Sequence, residues 1–291
     1  MKLLRVGLPG QERPVVSRDG RTGHDLSARL PATPDALLSP AGLAVARSVL
    51  DQPGDAPLVD LRTSRIGPPV EAPGKIVCVG LNYRAHAAEA GLPEPDEPIL
   101  FLKAPYTVQG AADDVIIPPG SQKTDYEVEL AVVIGTTARY LASPDAALAH
   151  VLGYTISNDV SERAFQLERG GQWDKGKNCE TFNPLGPWIS TTGEIRDPQD
   201  LQLSLAVNGE PRQDSGTADM IFGVAHLVWY ISQFMTLLPG DLVNTGTPAG
   251  VGSGFIPPRF LRAGDLVRSA ISGLGVQRHR FRDYHPGPVP A

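Results

Sequence analysis

The chain has 291 residues, of which 41% are hydrophobic and 20% are charged, so it can bury a sizeable core and is not disordered throughout. Its net charge of −6 argues against nucleic acid as a partner, because binding nucleic acid requires a basic surface that neutralises phosphates. The 31 glycines and 28 prolines predict many turns, short strands and few long helices.

Hydropathy and cysteine content bear on where the protein works. The first twenty residues contain charged residues and prolines instead of an apolar stretch, which predicts that there is no secretory signal. No segment approaches about 18 consecutive apolar residues, so no membrane span is expected. Two cysteines are too few for a disulfide scaffold. These observations predict a cytoplasmic protein without a membrane partner.

Residues 1–70 are predicted to form a small amino-terminal α+β domain. Helical stretches are expected at residues 33–39 and 41–50. The second stretch follows Ser39 as its cap and has Pro40 at its first helical position.

Residues 71–291 are predicted to form a second, catalytic domain. A proline-rich linker is predicted at residues 66–74, across the boundary between the two domains. The predicted strands of the whole chain are residues 2–7, 76–80, 99–103, 115–117, 126–134, 152–158, 188–191, 201–207, 241–245 and, as the last one, 266–271. Asn208 and Gly209 are a hairpin signal between two strands. One longer amphipathic helix is expected at residues 224–237.

Two short helices are predicted beside the strands of the second domain. The first is expected to begin after Asn82 as its cap and to end at Gly91. Residues 92–98, which follow it, contain three prolines and three acids, so they are expected to form an exposed loop and are a candidate lid. The second helix is expected at residues 161–168.

Two glutamates lie two residues apart on the predicted strand at residues 126–134. Glu127 and Glu129 then point to the same side of that strand. Two carboxylates that are buried together repel each other and are costly to desolvate unless a cation lies between them. Taken alone, the stretch slightly favours a simpler interpretation, a frayed strand end with two solvated glutamates.

A third acid, Asp159, follows the predicted strand at residues 152–158. It could cap the helix that comes next, which is a common role for aspartate. Together with Glu127 and Glu129, however, it forms a set of three carboxylates without cysteine or histidine. Such a set suits a hard cation that prefers oxygen ligands, Mg²⁺ or Mn²⁺.

His86 and Glu89 are a candidate general base and its partner. They lie three residues apart on a predicted helix, so the carboxylate can orient the imidazole and stabilise its charge when it accepts a proton. Taken alone, this spacing is more often a solvated surface pair. The other histidines lack such a partner in the sequence and are assigned no role.

Residues 245–254, which we call the glycine loop, are rich in glycine and threonine. They lack the Gly-Lys-Ser/Thr sequence of a phosphate loop, and prolines follow where a helix would have to begin. The hydroxyl and N–H groups of the loop are therefore expected to bind a small carboxylate. Lys177 could pair with an oxyanion, although an exposed lysine is the simpler interpretation.

Taken together and in this order, the segments resemble the fumarylacetoacetate hydrolase family over about residues 75–272. The motifs that carry the resemblance are Asn82-Tyr83 with His86 and Glu89, Pro-Ile-Leu-Phe-Leu-Lys at 98–103, Glu127-x-Glu129, Asn158-Asp159 with Arg163 and Gln166, Trp173-Asp-Lys-Gly-Lys177, and Gly240-Asp241 with Gly246-Thr247-Pro248. The resemblance implies an α+β, β-rich fold, a mixed β-sandwich roll preceded by the small amino-terminal unit and paired into a homodimer.

The resemblance also implies roles for individual residues. It places a divalent cation, usually Mg²⁺ with Mn²⁺ or Ca²⁺ as alternatives, at Glu127, Glu129 and Asp159. It matches His86 and Glu89 to the pair that activates water. The residues that it places at the substrate or at the oxyanion are Lys177, Arg163, Gln166 and Thr247.

These expectations favour a Mg²⁺-dependent hydrolase that cleaves a C–C bond in acylpyruvates or other β-diketo acids, within aromatic or sugar-acid catabolism. Water deprotonated by His86 would attack the distal carbonyl, and the cation and Lys177 would stabilise the resulting enolate. Decarboxylation and keto–enol isomerisation share that enolate. An isomerase or decarboxylase of 2-oxo diacids, such as oxaloacetate or 2-hydroxyhepta-2,4-diene-1,7-dioate, is therefore the alternative, and a non-catalytic binder of metal and oxo acid is a third hypothesis.

Overall fold

Short strands make up most of the regular structure. The structure is a computed structural model that describes residues 1–33 and 36–286. Its strands are β1 Lys2–Val6, β2 Arg13–Ser17, β3 Thr22–Asp25, β4 Leu58–Asp60, β5 Ile66–Gly67, β6 Ile76–Gly80, β7 Ile99–Lys103, β8 Val108–Gln109, β9 Val115–Ile117, β10 Thr124–Asp125, β11 Val128–Ile134, β12 Val151–Asn158, β13 Ser161–Glu162, β14 Asn183–Thr191, β15 Gln202–Val207, β16 Glu210–Gly216, β17 Leu242–Asn244, β18 Leu266–Ile271 and β19 Gly275–Asp283. Its α-helices are α1 Pro40–Asp51, α2 Arg84–Glu89, α3 Arg163–Leu167, α4 Asp174–Lys177 and α5 Val224–Ser232.

Two sheets pack face to face around the main core. The larger sheet has the strand order β4-β3-β2-β1-β14-β12-β11-β17-β6-β7, and the smaller one has the order β16-β15-β18-β19-β9. Both are mixed, because β17 pairs with β6 in parallel and β19 pairs with β9 in parallel, whereas their other neighbours along these orders are antiparallel. Leu130 of β11 lies in the same apolar cluster as Leu203 of β15 and Val267 of β18. The predicted fold class, an α+β, β-rich mixed sandwich, is confirmed.

Strand β11 is covered on both faces, which explains its almost unbroken apolar sequence. Leu130 and Val132 face the main core, while Ala131 and Val133 belong to a second cluster that includes Val49 of α1 and Leu37, which precedes α1. The strand is entirely buried from its first residue to its last. A polar side chain on this strand therefore has little exposure to bulk solvent.

Strands from the first 70 residues continue the larger sheet. β1 pairs with β14, with Lys2 opposite Ser190 and Leu3 opposite Ile189. Among the described residues, no helix combines the length and the hydropathy that crossing a membrane requires.

Several local predictions are confirmed. Helix α1 begins after Ser39, whose hydroxyl oxygen accepts a hydrogen bond from the Gly42 N–H at 3.0 Å. Asn208 and Gly209 both have positive φ angles, 52° and 83°, as the hairpin between β15 and β16 requires. Two residues of the helical stretch predicted at 33–39, residues 34 and 35, lie outside the described residues, and the rest of it contains a 3₁₀ turn at Ala36–Leu38.

Three local predictions were wrong. Asn82 does not cap α2, because its side chain instead bonds to the backbone of Phe222 and Thr245. Helix α5 ends at Ser232, before the predicted residue 237. β18 is not the last strand, because β19 follows it, with Gln277 and Phe281 buried between exposed arginines. That alternation is the signature of a half-buried strand.

Candidate functional site

Strand ends and short helices bring the predicted site residues to one place. Glu127 precedes β11, Asp159 follows β12, and the hydrogen bond from the Asp159 N–H to the Glu127 carbonyl oxygen, 2.9 Å long, sets the two acids side by side. A cavity of about 180 Å³ opens beside them. The predicted site residues that line it are His86, Glu127, Glu129, Arg163, Gln166, Lys177 and Thr247.

The three predicted metal ligands form a buried cluster. Glu127, Glu129 and Asp159 can each offer a carboxylate oxygen, and these oxygens lie within 4.8 Å of one another. All three side chains are buried, so the frayed end with solvated glutamates is not what forms. The alternative role of Asp159 as a helix cap is taken by Glu162, whose side chain accepts from the Ala164 N–H.

Two lysines surround these carboxylates. The Lys177 ammonium donates to Glu127 Oε2 at 2.7 Å and to Asp159 Oδ2 at 2.9 Å, so the interpretation of Lys177 as an exposed lysine was wrong. The Lys103 ammonium donates to the other Asp159 oxygen at 2.5 Å. Both ammonium groups are buried. Their positive charges therefore offset much of the negative charge of the cluster.

Arg163 adds a third buried cation. It donates to Asp125 Oδ2 at 2.9 Å, to Glu127 Oε1 at 2.6 Å and to the Gln166 side-chain oxygen at 3.1 Å. Burial alone would raise the pKa of Glu127, but the charges of Lys177 and Arg163 outweigh it and lower that pKa to about 2. Glu127 is therefore ionised at neutral pH without any further partner.

Glu129 is in the opposite situation. Its side chain accepts a hydrogen bond from the Gly246 N–H at 2.9 Å, and no lysine or arginine within the described part of the chain forms an ion pair with it. Burial, followed by the charges of Asp159 and Glu127, raises its pKa well above the usual range. A positive charge placed between these acids would oppose this shift and lower the pKa of Glu129.

The donor set therefore fits a divalent cation. The site contains three buried cations, Lys103, Lys177 and Arg163, and four buried acids, Asp125, Glu127, Glu129 and Asp159, so the acids exceed the cations by one. A hard cation bound by oxygens would supply the missing positive charge and leave an excess that suits a substrate carboxylate.

The His86–Glu89 pair lies at another side of the cavity, on α2. The His86 Nδ1 and Glu89 Oε2 atoms are 3.0 Å apart, and the side chains are only 13% and 19% exposed. Glu89 Oε1 accepts a second hydrogen bond, from the Gly250 N–H at 2.9 Å. The carboxylate is thus fixed at both oxygens, unlike that of a solvated surface pair. His86 lines the cavity, and Nε2 is the ring nitrogen that Glu89 does not contact.

Thr247 and Gln166 also reach the site. The Thr247 hydroxyl donates to the Val128 carbonyl oxygen at 3.0 Å and accepts from Gln213 Nε2 at 2.8 Å. Gln166 is buried next to Arg163 and lines the cavity. Both residues therefore line the same cavity as the acids.

Three contributors were missed in the sequence. Asp125 continues the two-residue spacing of Glu127 and Glu129, and that spacing was the available signal. Lys103 was noticed only as the end of a motif, although a lysine that ends an apolar strand is unusual. Trp173 packs edge-on against Phe101 at a centroid distance of 5.6 Å and forms a wall of the cavity, a contact that no spacing reveals.

Comparisons with known proteins show which family the chain is similar to. The profile of the family described as Fumarylacetoacetate (FAA) hydrolase C-terminal matches residues 75–282. A relative from Burkholderia lata, named "Putative hydrolase", is 50% identical over 285 residues, which are 97% of this chain and 99% of that protein.

Solved structures with different activities are similar to nearly the whole chain. A probable 2-hydroxyhepta-2,4-diene-1,7-dioate isomerase from Mycobacterium abscessus is 34% identical, with a TM-score of 0.81 over 98% of this chain and 100% of the other. A maleylpyruvate hydrolase from Sphingobium sp. SYK-6, in complex with manganese(II) and pyruvate, is 28% identical, with a TM-score of 0.80 and the same coverage.

Proposed function

The chain belongs to the fumarylacetoacetate hydrolase family, and from this premise we propose that it is a Mg²⁺-dependent hydrolase that cleaves a C–C bond in acylpyruvates or related β-diketo acids. The observation that carries the proposal is that a carboxylate-held histidine, His86, and a buried cluster of three acids line or adjoin the same small cavity. The similar maleylpyruvate hydrolase, solved with manganese(II) and pyruvate, supports both a divalent cation and a 2-oxo acid.

Glu127, Glu129 and Asp159 would hold the cation, with Mg²⁺ as our choice and Mn²⁺ or Ca²⁺ as alternatives. When bound, it supplies a Lewis acid that polarises the substrate carbonyl and stabilises negative charge. Lys177 has three N–H donors and gives two of them to Glu127 and Asp159, which leaves one for an enolate oxygen in the cavity.

His86 would act as the general base. Glu89 holds Nδ1, so Nε2 accepts a proton from a water molecule, and the Glu89 carboxylate stabilises the imidazolium that forms. The hydroxyl oxygen bonds to the acyl carbonyl carbon, and the C–C bond to the pyruvyl group then breaks. Its electron pair passes to the departing pyruvate as an enolate, which takes up a proton. The products are pyruvate and one carboxylic acid.

Arg163, Gln166 and Thr247 would bind the substrate carboxylate. Arg163 has five N–H donors and spends three on Asp125, Glu127 and Gln166, so two are left for an anion in the cavity. These contacts orient the 2-oxo acid end of the substrate.

The apolar part of the lining favours an uncharged acyl group. It includes Phe101, Trp173, Leu81 and Leu92. The space inside the cavity, about 180 Å³, suits a short acyl chain. An acylpyruvate with a small neutral acyl group fits these walls better than a long diacid does.

A second candidate is an isomerase or decarboxylase of 2-oxo diacids, and the similarity to a dienedioate isomerase favours it. The same groups would serve, because the enolate is common to these reactions. Release of CO₂, or a change in ultraviolet absorbance without fragmentation, would identify this activity.

The decisive experiment is a substrate panel. The purified protein with Mg²⁺ is mixed with short acylpyruvates, oxaloacetate and dienedioates, and pyruvate, CO₂ and absorbance are recorded. We expect pyruvate from the acylpyruvates, and a loss of about 10²–10⁴-fold in kcat for His86→Gln. His150→Gln, at a histidine outside the cavity, is the matched control and should retain full activity. If no acylpyruvate yields pyruvate, the proposed hydrolase activity is wrong.

We further propose a homodimer that works in the cytoplasm, in the catabolism of aromatic compounds or sugar acids. Membership of the family supports the dimer and the small-molecule substrate. Light scattering of the purified protein will give its oligomeric state.

A further inference from the structure

We infer that the glycine loop holds the protein's own carboxylates, and that Gly254 is a positioning residue that keeps Glu89 in place against His86. The consequence for the reaction rate rests on the proposed function. The expected binding of a small external carboxylate by the N–H groups of this loop is replaced by bonds within the chain.

Four backbone N–H groups of the loop point at acids of the site. Gly246 donates to Glu129 Oε2 and Gly250 to Glu89 Oε1, each at 2.9 Å. One stretch of backbone therefore fixes a carboxylate of the predicted metal cluster and the carboxylate of the predicted base pair.

The other two N–H groups bind Asp125. Gly252 donates to Asp125 Oδ1 at 2.6 Å, and Ser253 donates to Asp125 Oδ2 at 3.0 Å. Asp125 in turn accepts from Arg163. The loop thus bonds to Glu129 of the predicted metal cluster, to Glu89, which contacts His86, and to Asp125, which contacts Arg163. It thereby sets the positions of these three parts of the site relative to one another.

Gly254 secures the Glu89 carboxylate by leaving room for it. The three atoms nearest to a Cβ at this position would all belong to Glu89, and a Cβ would overlap the carboxyl group. Gly254 has no positive φ, so alanine can adopt its backbone conformation without strain. Since the end of a glutamate side chain can rotate, Gly254→Ala should displace the Glu89 carboxylate and leave the backbone in place.

A displaced Glu89 would no longer hold His86. The imidazole would lose the acceptor that keeps its proton on Nδ1, and the tautomer with Nε2 free would no longer be enforced. Substrate binding depends on Arg163, Gln166 and Thr247 and would be little affected. The variant should therefore lower kcat and leave KM nearly unchanged.

The experiment compares Gly254→Ala with Gly193→Ala in the full-length protein. Gly193 also lacks a positive φ, and a Cβ added to it would meet no atom within 4 Å, so it is the matched control and should keep its activity. We expect kcat of Gly254→Ala to fall by about 10–100-fold, with KM within about twofold. In a Glu89→Ala background, Gly254→Ala should have no further effect, because there is no carboxyl group left to displace.

A second measurement needs no substrate. In protein labelled with ¹⁵N-histidine, the His86 nitrogens, assigned with His86→Gln, should show a single tautomer in the wild type and a mixture in Gly254→Ala. Two results would overturn the inference. One is that the His86 signals of Gly254→Ala equal those of the wild type. The other is that Gly254→Ala lowers kcat as much in the Glu89→Ala background as it does in the wild type. If the wild type turns over no member of the panel, the proposed function fails, and the histidine signals still decide the role of Gly254.

Discussion

Two opposing effects act on the pKa of Glu127, because burial raises it and neighbouring positive charges lower it. It is buried, yet Lys177 and Arg163 each donate to one of its oxygens, and together they keep it ionised. The neighbouring Glu129 shares the same face and lacks such ion pairs among the described residues. A cation would thus meet one carboxylate that already has two ion pairs and one that has none among the described residues.

Replacing Glu127 with glutamine should abolish metal binding while keeping the shape of the side chain. Mg²⁺ should raise the melting temperature of the wild type, since a ligand at about 100 times its Kd stabilises by about 2.7 kcal/mol. Glu127→Gln should show no such rise, measured by thermal unfolding with Mg²⁺ and with a chelator. Glu194→Gln, at a partly exposed acid beside the amino terminus, should keep the full rise. A rise retained in Glu127→Gln would remove Glu127 from the ligand set.

At the scale of elements, features that follow from periodicity could be predicted from the sequence, whereas hydrogen bonds between distant residues could not. The two-residue spacing of Glu127 and Glu129 predicted their common face, and the apolar run after them predicted the buried strand β11. The backbone N–H donors of the glycine loop carry no sequence signal of their own, so their acceptors could not be named. The site was therefore predictable as a set of residues, but its internal bonds were not.

Strand β19 shows a missed element with a measurable consequence. Its His279 is buried and, as a donor from Nδ1, bonds to the Asp113 carbonyl oxygen at 2.9 Å. Burial lowers the pKa of His279 to about 4, against the opposing effects of the Asp113 carbonyl and of the Asp113 and Asp114 carboxylates. The folded protein therefore keeps this imidazole neutral at pH values where the unfolded chain protonates it.

We expect the buried His279 of β19 to lower the free energy of unfolding at mildly acid pH. The unfolded state takes up a proton at His279 near pH 6.5 and the folded state only near pH 4, so the stability contributed by neutral burial is present above pH 6.5 and is lost as pH falls between these values. The loss amounts to about 3 kcal/mol. Urea unfolding at a series of pH values gives the free energy of unfolding as a function of pH. This free energy should fall less steeply with falling pH in His279→Gln than in the wild type. It should fall as in the wild type in His24→Gln, which changes a half-buried histidine of β3. Equal slopes in the wild type and His279→Gln would contradict this account.

For the whole molecule, the domain boundary near residue 70 stays a prediction. Residues on the two sides of this boundary pack against each other. The Met1 ammonium lies 2.6 Å from Glu194 Oε1, and β1 extends the sheet through β14. Leu3 and Leu37 belong to the same apolar cluster as Cys78 and Leu185. The composition of the chain shows where the polar, proline-rich stretch begins. It does not show that β1 pairs with β14 across this stretch, because that pairing joins residues nearly 190 positions apart.

A shared sheet and a shared core should make the chain unfold as one unit. Leu3→Ala removes a fully buried side chain from β1 and should destabilise the whole protein by about 2–5 kcal/mol. Calorimetry should then show one transition, shifted to lower temperature, with equal calorimetric and van't Hoff enthalpies. The fluorescence of Trp173, Trp188 and Trp229, which all lie beyond residue 70, should follow the same shift. Leu8→Ala, at a side chain that is 66% exposed, should leave the transition unmoved. Two separate transitions, with only one of them displaced by Leu3→Ala, would show that the two parts fold independently.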